Sequence, residues 1–593
     1  MPKITINGHE IDAPAGSTIL DAAGIAGIRI PTLCHLEGHE GLGACRVCVV
    51  DLEGAKTTVP ACVTPVTDGM KVRTNSARAR AARKTVVELL LSEHDGDCQY
   101  CGRADDCELK QLAWELGIRE ERYAGERTPA HIDASTAALV RDASKCIKCR
   151  RCVTVCSQVQ SVSALSPQGR GFATQIGPAF ANNLDTTACV QCGQCAAVCP
   201  VGAITEQRHV DAVWAALDDP EQVVVVQTAP AIRAALGECF GYPAGTRVTS
   251  QMTAALRRLG FDRVFDTDFT ADLTIVEEAN ELLHRLTRAL VHGEQVALPQ
   301  FTSCSPGWIN FAEHFFPDML DNLSSCKSPQ QMFGALAKSY YAEELGIDPA
   351  KMTVVSVMPC TAKKYEAARE EMTDSGVRDV DYVLTTRELG EMIREAGIDF
   401  AALPGEEMDA PLGISTGAAD IFANTGGVME AALRTAHHVI TGRPLPTDQM
   451  HVAPLAGLEG VKEASVTITD PVAAWDFLDG VEVKVAVAHG LGNARGLLER
   501  IRGGEATYHF VEVMTCPGGC IGGGGQPRMT TDDVRRARIE AIYEEDEQKP
   551  IRMSHENPAV IELYERFLEK PLGERSHHLL HTFYESRMKE VAL

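Results

Sequence analysis

Alternating apolar and polar positions at the start of the chain predict a small β-rich unit. Residues 3–11 alternate around the pair Asn7-Gly8, a sequence typical of a tight β-hairpin. Ser17 or Thr18 then stands directly before an apolar stretch and predicts the N-terminal cap of a helix. We therefore expect a strand pair followed by a helix before residue 80.

Longer apolar runs, separated by helical periods and glycine turns, begin after about residue 210. Residues 223–226, 273–276 and 354–357 indicate buried strands, and the periodicity of residues 278–286 indicates a helix. This alternation predicts an α/β domain, in which ligand sites lie at the ends of strands.

Length and charge narrow the classes of function. The 593 residues correspond to about four domains of roughly 150 residues. A hydrophobic fraction of 45% suits globular cores, whereas a net charge of −25 disfavours nucleic acid and anionic membranes as partners. No apolar run approaches the roughly 18 residues of a membrane-spanning helix, and the polar N-terminus lacks a signal peptide. We expect a cytoplasmic protein with no nucleic-acid and no membrane partner.

Cysteine usage points to metal. Fifteen of the 21 cysteines lie at or before Cys199. Because disulfides do not persist in a reducing compartment, so many thiols indicate metal ligands. The first set fits a [2Fe–2S] cluster, with a zinc site as the alternative, and consists of Cys34, Cys45, Cys48 and Cys62.

A second set combines one imidazole with three thiolates. It comprises His94, Cys98, Cys101 and Cys107. Zinc and an iron–sulfur cluster suit these ligands equally well, and the neighbouring modules favour iron–sulfur.

Residues 146–200 repeat the Cys-x2-Cys-x2-Cys-x3-Cys run of bacterial two-cluster ferredoxins, in which the fourth cysteine of each run ligates the other cluster. One [4Fe–4S] set is then Cys146, Cys149, Cys152 and Cys199. The other is Cys189, Cys192, Cys195 and Cys156. Adjacent redox modules predict a chain of electron carriers.

Three segments of the C-terminal part carry further cysteines beside proline or glycine. They are residues 301–308, 357–364 and 513–527, the last with a glycine-rich run. A phosphate-binding loop would need a Lys-Ser/Thr pair after that run, which is missing. We therefore interpret the run as backbone that closely approaches a bulky inorganic ligand.

These three segments resemble the active-site signatures of [FeFe]-hydrogenases, and the N-terminal ligand sets resemble the accessory clusters of the family's large members in the same order. The resemblance extends from Lys3 to about Tyr584. It implies an α/β multidomain fold with four parts. These are a β-grasp [2Fe–2S] ferredoxin-like domain (1–80), a His/Cys3 [4Fe–4S] domain (81–125), an α+β two-[4Fe–4S] ferredoxin-like domain (126–209), and a large α/β catalytic domain with a small-subunit-like C-terminal segment (210–593).

The resemblance also implies an H-cluster, which is a [4Fe–4S] cubane joined to a di-iron centre with CO, cyanide and a bridging dithiolate. The implied cubane ligands are Cys360, Cys516 and Cys520. Cys304 would exchange protons at the di-iron centre, Lys363 would bind a cyanide, and Met358 and Met514 would pack around the iron. A charged ammonium suits an anionic ligand, and thioethers tolerate a metal carbonyl surface.

The chain departs from the family at Ser305, where most members have the fourth cubane cysteine. In one register Ser305 becomes a hard fourth ligand; in a register shifted by one, Cys304 ligates and the proton relay loses its thiol. The sequence leaves both alternatives open.

A proton route is implied in the order Cys304, Glu281, Ser324, Glu278 and Arg285. The two glutamates and Arg285 share one helical face, a pattern that without the resemblance would indicate a solvated surface.

The implied function is a catalytic subunit that interconverts H2 with protons and electrons. Electrons would reach a ferredoxin, an NAD(P)-reducing flavoprotein subunit, or both, in a hetero-oligomer, since no nucleotide-binding fingerprint is evident in the chain. The alternatives are an H2 sensor and a subunit that only transfers electrons. Cys239 and Cys326 match no signature and are expected to be buried thiols. The histidines at 577, 578 and 581 indicate a surface cluster, with metal binding as the alternative.

Overall fold

The computed structural model describes residues 1–123, 125–445, 458–528 and 530–587, and within these ranges the strands form five sheets. The N-terminal sheet has the order β2-β1-β5-β3-β4. The elements of this N-terminal unit are β1 (Lys3–Ile6), β2 (His9–Asp12), α1 (Ile19–Ile25), β3 (Val49–Leu52), β4 (Val59–Pro60) and β5 (Lys71–Arg73).

The hairpin and the capped helix of this first unit are confirmed. β1 and β2 pair antiparallel, with Ile4 opposite Ile11. Of the two candidate caps, Thr18 is the one used: its side chain accepts from the backbone N–H of Asp21, whose carboxylate accepts from Thr18 in return. The apolar side of the sheet packs on α1, so a small domain obtains a core from few residues.

Two helices and a ferredoxin-like unit follow. The elements are α2 (Ala77–Glu93), α3 (Glu108–Glu115), β6 (Ile132–Asp133), β7 (Leu139–Asp142), α4 (Arg151–Thr154), β8 (Ser166–Gln168), β9 (Gln175–Gly177), α5 (Gln194–Val198) and β10 (Ile204–Glu206). β7 pairs antiparallel with both β6 and β10, and α4 packs against α5. Each of these two short helices contains the third cysteine of a run, Cys152 in α4 and Cys195 in α5.

The C-terminal part contains the longer elements. Its first half comprises α6 (Val210–Leu217), β11 (Val223–Thr228), α7 (Thr249–Leu259), β12 (Arg263–Asp266), α8 (Thr267–Leu290), β13 (Gln300–Phe301), α9 (Pro306–Phe315), α10 (Pro329–Leu336), α11 (Ala342–Leu345), β14 (Met352–Met358), α12 (Ala362–Ala367), β15 (Tyr382–Thr385) and α13 (Thr386–Glu395). Its second half comprises α14 (Gly417–Asp420), α15 (Gly427–Thr441), β16 (Val461–Thr467), β17 (Glu482–His489), α16 (Leu491–Arg502), β18 (Phe510–Met514), α17 (Asp532–Gln548), α18 (Pro558–Leu563) and α19 (Glu574–Leu580).

Two four-stranded sheets form the frame of this part. The first is wholly parallel, with the order β12-β11-β14-β15, and the second has the order β13-β18-β17-β16 with only β16 antiparallel. The predicted strands at 223–226 and 354–357 are confirmed within β11 and β14. Their Val-rich runs suit central strands that are buried on both faces.

The strand predicted at residues 273–276 is wrong, because these residues lie inside α8. Asp266 caps that helix by accepting from the N–H of Asp268, and the helix is buried over most of its length. A helix surrounded by protein carries apolar residues on several faces, so a short apolar run cannot be distinguished from a buried strand by its periodicity. The helix predicted at 278–286 is confirmed as part of the same element.

The parallel strands direct their carboxyl ends toward the space between the two sheets, and the loops that follow β11, β13, β14 and β18 meet there. Every helix in the described part of the chain is too short or too polar to span a bilayer.

Candidate active site

Three strand ends deliver the sequence-predicted cysteines to one cavity. Cys360 follows β14, Cys516 and Cys520 follow β18, and Cys304 follows β13. The cavity comprises about 740 Å³ of space, part of it open to solvent, and its walls include Ala229, Pro230, Phe422, Met358, Met514, Lys363 and Ser305. Because most of these groups are apolar, the cavity excludes water from whatever occupies it.

The donor set of this cavity suits an iron–sulfur cubane. Burial raises the pKa of the Cys360, Cys516 and Cys520 thiols, and the charge of Cys360 raises the pKa of the other two further. Neighbouring thiolates in an apolar cavity need a compensating positive charge, which iron ions supply. Cys304 differs from them, since the charge that acts most on it is that of Glu278.

The glycine-rich run packs the catalytic domain against the ferredoxin-like unit. A Cβ atom on Gly524 would lie 2.3 Å from the carbonyl oxygen of Cys192, and one on Gly523 would lie 2.2 Å from that of Pro359. This backbone was predicted to approach an inorganic ligand closely. At Gly523 and Gly524 it instead approaches other backbone of the protein. Gln194 Nε2 also donates to the Gly522 carbonyl at 2.9 Å.

Lys363 lines the cavity beside Cys304. Its Nζ donates to the Cys304 carbonyl oxygen at 3.1 Å and to Glu366 Oε2 at 2.9 Å. Nζ also lies 3.2 Å from Glu366 Oε1, so its three N–H groups have three acceptors within reach, and an anionic ligand in the cavity would replace one of them.

Ser305 lies beside the loop that carries Cys516. Its hydroxyl lies 2.7 Å from Thr515 Oγ1 and accepts from the Thr515 N–H at 3.3 Å, directly beside the Cys516 loop. Cys304 meanwhile lies toward Glu278 and Lys363. Of the two alternatives left open by the sequence, the geometry favours Ser305 on the cubane side and Cys304 on the proton side.

A chain of buried polar groups connects the cavity to the surface. Burial, and then the charge of Glu281, raises the pKa of Glu278 to about 8, while a hydrogen bond with Ser324 acts in the opposite direction. The Ser324 hydroxyl donates to Glu281 Oε2 at 2.7 Å, and Arg285 donates to Glu281 Oε1 at 2.7 Å. The Arg285 side chain is partly exposed.

This geometry corrects the implied order of the relay. Glu278 lies next to Cys304, and Glu281 lies next to Arg285, so the sequence of groups is Cys304, Glu278, Ser324, Glu281 and Arg285. The helical spacing placed both glutamates on one face of α8 but contained no information on which end of that face meets the cavity.

The eight cysteines of the ferredoxin-like unit divide into the two predicted groups. One cavity is lined by Cys146, Cys149, Cys152 and Cys199. A second is lined by Cys156, Cys189, Cys192 and Cys195. Each cavity is thus lined by three cysteines of one run and the fourth cysteine of the other run.

The remaining two ligand sets also occupy compact sites. Cys48 Sγ lies 3.4 Å from Cys62 Sγ, and Cys34 Sγ accepts from the Cys45 N–H at 3.5 Å. His94 is buried at the end of α2, and its Nδ1 has no hydrogen-bond partner among the described residues, as suits a metal ligand. Burial, and then the charge of Cys101, raises the pKa of the Cys107 thiol.

Three predictions about residues outside the signatures have different outcomes. Cys326 is buried as expected, and Cys239 is only partly buried. The surface-cluster prediction is wrong for His581, which is 4% exposed because the segment after α19 pairs with Cys326, whereas His577 and His578 are exposed.

Sequence reasoning missed Glu512. This carboxylate lies within the buried strand β18 and accepts from the N–H groups of Gly426 and Met429, at 2.6 and 2.8 Å, at the start of α15. Burial raises its pKa to about 7. An acidic residue inside an apolar strand was the available signal.

Comparison with protein families accounts for most of the chain. Residues 222–524 match "Iron only hydrogenase large subunit, C-terminal domain", and residues 532–587 match "Iron hydrogenase small subunit". Residues 2–77 match a 2Fe-2S iron-sulfur cluster binding domain, residues 83–122 the NADH-ubiquinone oxidoreductase-G iron-sulfur binding region, and residues 145–203 a 4Fe-4S dicluster domain. The predicted fold class and order of domains are confirmed.

Individual relatives agree with this assignment. The chain is 54% identical to the NADP-reducing hydrogenase subunit HndD of Solidesulfovibrio fructosivorans, over 99% of this chain and 100% of that one. It is 39% identical to iron hydrogenase 1 of Clostridium pasteurianum, again over 99% and 100%. The solved structure of apo [FeFe]-hydrogenase HydA1 from Chlamydomonas reinhardtii is 45% identical, with a TM-score of 0.58, and covers 65% of this chain and 100% of that one.

Proposed function

Because the chain belongs to the [FeFe]-hydrogenase family and is its catalytic subunit, an oxidoreductase acting on H2, we propose that its residues divide the reaction between a cluster-binding cavity, a proton relay and an electron route. The convergence of four predicted cysteines on one apolar cavity carries this proposal. The proposed domain division is 1–80, 81–125, 126–209 and 210–593.

In the proposed cavity, Cys360, Cys516 and Cys520 hold the cubane, and the hydroxyl of Ser305 lies on its fourth side. When bound, the H-cluster supplies the iron centre at which H2 exchanges with protons and electrons. Lys363 offers an N–H to an anionic ligand of that centre. Met358 and Met514 form part of the apolar wall of the cavity. Because Lys363 is also held by Glu366, its position is fixed before the cofactor arrives.

Cys304 is the proposed first proton carrier. The proton then passes along Glu278, Ser324 and Glu281 to Arg285 at the partly exposed end. Glu278 suits this role because a carboxyl whose pKa is about 8 both gains and loses a proton near neutral pH.

Electrons leave on the opposite side of the cavity. Thr361, next to Cys360, donates to the Gln191 carbonyl oxygen at 2.8 Å, and Gln191 precedes Cys192. This direct contact supports an electron route from the cavity to the cluster held by the cysteine set with Cys156 and Cys189. From there electrons pass to the cluster held by the set with Cys146. We propose three accessory [4Fe–4S] clusters and one [2Fe–2S] cluster in all.

The partners are proposed from the relatives. HndD is named as a subunit of an NADP-reducing hydrogenase, which supports a hetero-oligomer in which NAD(P)-reducing flavoprotein subunits, a ferredoxin, or both exchange electrons with this chain. The proposed location is cytoplasmic, which agrees with an NADP-reducing relative.

The test uses protein produced with its maturation machinery. We expect infrared bands of metal-bound CO and cyanide, together with H2 evolution from reduced viologen. Cys520→Ser is expected to abolish the bands and the activity, whereas Cys239→Ser, a matched change outside every cluster set, is expected to preserve both.

Two results would favour the alternatives. Absence of CO and cyanide bands in protein with intact accessory clusters would indicate a subunit that only transfers electrons. Intact bands with very slow turnover that Ser305→Cys accelerates would indicate an H2 sensor.

A further inference from the structure

Glu512 is a buried carboxylate on an otherwise apolar face of β18. Phe510, Glu512 and Met514 share this face, because alternate residues of a strand point to the same side. Met514 belongs to the wall of the cofactor cavity, and Glu512 is fully buried. Neither the proposed proton relay nor the proposed cluster ligands include Glu512. A charged group in such a place is retained where its hydrogen bonds serve another part of the molecule.

The hydrogen bonds of Glu512 lead to the start of α15. Its Oε1 accepts from the N–H of Gly426 at 2.6 Å, and its Oε2 accepts from the N–H of Met429 at 2.8 Å. N–H groups at the start of a helix have no partner inside the helix, and that end of a helix favours a negative charge. We propose that Glu512 is a positioning residue, which holds the start of α15 and thereby fixes the loop of Cys516 and Cys520 and the cofactor that they bind. The effect on the cofactor rests on the proposed function, whereas the anchoring of the loop does not.

The segment before α15 packs directly on the loop between the two cysteines. The Thr425 N–H donates to the Gly518 carbonyl oxygen at 3.0 Å. A Cβ atom on Gly519 would lie 2.6 Å from the Thr425 nitrogen and 2.8 Å from the carbonyl carbon of Asn424, and Gly519 has a φ of +92°, which favours glycine. The two backbones are thus in contact with no side chain between them. A displacement of the segment is therefore transmitted to Gly519, the neighbour of Cys520.

The same segment places Phe422 in the wall of the cavity. The Asn424 N–H donates to the Ile421 carbonyl oxygen at 2.9 Å, and the Gly427 N–H donates to the Asn424 carbonyl oxygen at 3.1 Å. These two bonds close successive tight turns, so the segment is expected to move as one piece. Glu512 holds the end of it that enters α15, and Phe422 lies at the end that meets the cofactor.

His489 holds the cysteine loop at a second point. The Gly518 N–H donates to His489 Nδ1 at 3.1 Å, and His489 Nε2 lies 3.2 Å from the Leu458 carbonyl oxygen, so the ring proton is on Nε2. Burial lowers the pKa of His489 to about 4, and the imidazole is neutral at pH 7. Gly518 is therefore fixed through its N–H by His489 and through its carbonyl by the segment that Glu512 anchors. Replacing His489 loosens the loop without changing any charge.

The test compares two substitutions in enzyme produced with its maturation machinery. Glu512→Gln keeps the shape of the side chain, but only one of its two terminal atoms accepts, so one helix N–H loses its partner. His489→Leu removes the acceptor of the Gly518 N–H. We expect both variants to broaden or split the infrared bands of CO and cyanide, because the loosened loop holds the cofactor in several positions.

Glu277→Gln is the matched control. Like Glu512, Glu277 is fully buried and accepts from a backbone N–H, that of Leu572 at 2.9 Å. It also accepts from the Tyr564 hydroxyl at 2.5 Å, so its partners belong to the C-terminal segment and not to the cysteine loop. The bands of this variant should remain those of the parent.

Hydrogen exchange tests the anchoring independently of the cofactor. In the full chain produced without the maturation machinery, the amides of residues 424–429 should exchange at least about tenfold faster in Glu512→Gln, as expected when a buried N–H loses its acceptor. Glu277→Gln should leave the exchange of these amides unchanged. Exchange as slow as in the parent would overturn the anchoring by Glu512.

Electrostatics provide the competing explanation. Burial and the charge of Cys360 raise the pKa of Cys520, and the charge of Glu512 adds to them, so the loss of this charge also acts on the cofactor directly. A uniform shift of sharp bands in Glu512→Gln, with parent-like bands in His489→Leu, would establish that direct effect and overturn the positioning role. Faster exchange with parent-like bands in both variants would overturn it as well. A parent without CO and cyanide bands would refute the proposed function, and the exchange rates would then decide the anchoring alone.

Discussion

Replacing Glu278 by glutamine should separate proton transfer from folding. Glutamine has nearly the same shape but carries no acidic proton, so it interrupts the relay between Cys304 and Ser324. General acid–base groups contribute about 10²–10⁴-fold to rate, and we expect a loss of H2 turnover in that range. The infrared bands of the cofactor should remain, because Glu278 is not a cluster ligand.

The same substitution should change the pH dependence of stability. Burial and the charge of Glu281 raise the pKa of Glu278 from 4.5 to about 8. The folded state therefore holds this proton more tightly than the unfolded chain, and stability declines as the pH rises from about 4.5 to about 8. At about 1.4 kcal/mol per pH unit, and with the proton half released at pH 8, the parent loses about 3.5 kcal/mol of stability between pH 5 and pH 8, a loss that the glutamine variant does not undergo.

Calorimetry of both proteins at the two pH values, under anaerobic conditions, measures this difference. The glutamine amide also changes the free energy of unfolding by an amount that does not depend on pH. This amount cancels when the values at the two pH values are subtracted. Asp272→Asn is the control, since it makes the same change at another buried carboxyl of α8, whose pKa burial raises to about 6, outside the relay. Undiminished turnover of Glu278→Gln, or a stability difference that does not change with pH, would refute the reasoning.

Three further predictions follow from single contacts. Ser305→Cys should supply a softer fourth cubane ligand and shift the reduction potential of the cubane in EPR-monitored titrations; an unchanged potential would place Ser305 outside the coordination sphere. Gly524→Ala should destabilise the protein by about 1–3 kcal/mol and slow electron transfer to viologen, because the added Cβ meets the Cys192 carbonyl oxygen at 2.3 Å. Gly496→Ala, in open space within α16, is its control and should be neutral or stabilising in the same melts. Lys363→Met should weaken retention of the di-iron part, visible as weaker cyanide bands, and normal bands would contradict the assigned role.

Much of the site could be predicted because cluster ligands are encoded locally. A cysteine run with fixed spacing wraps one cluster whatever surrounds it, so the two ferredoxin-type groups follow from the spacing. The family signatures likewise identified Cys304, Cys360, Cys516 and Cys520, which the fold brings to one cavity. The hairpin at residues 3–11 is local in the same sense, since its turn residues fix its register.

Other features depended on packing between distant segments. Residues 273–276 have a strand-like composition, yet they lie in α8 because that helix is enclosed by protein. The order of Glu278 and Glu281 along the relay depends on which end of α8 faces the cavity, and the burial of His581 depends on the pairing of the C-terminal segment with Cys326.

The amino-acid sequence by itself thus determined the candidate ligands, the order of the domains and the family, because spacing along the chain is sufficient to predict loops that wrap a cluster. Only the tertiary structure shows that Ser305 lies beside the Cys516 loop, that Glu278 acts on Cys304 while Glu281 contacts Arg285, and that Glu281, Cys326 and His581 lie together. These depend on distances between residues that are far apart in the chain, and such distances are set by the packing of helices and sheets.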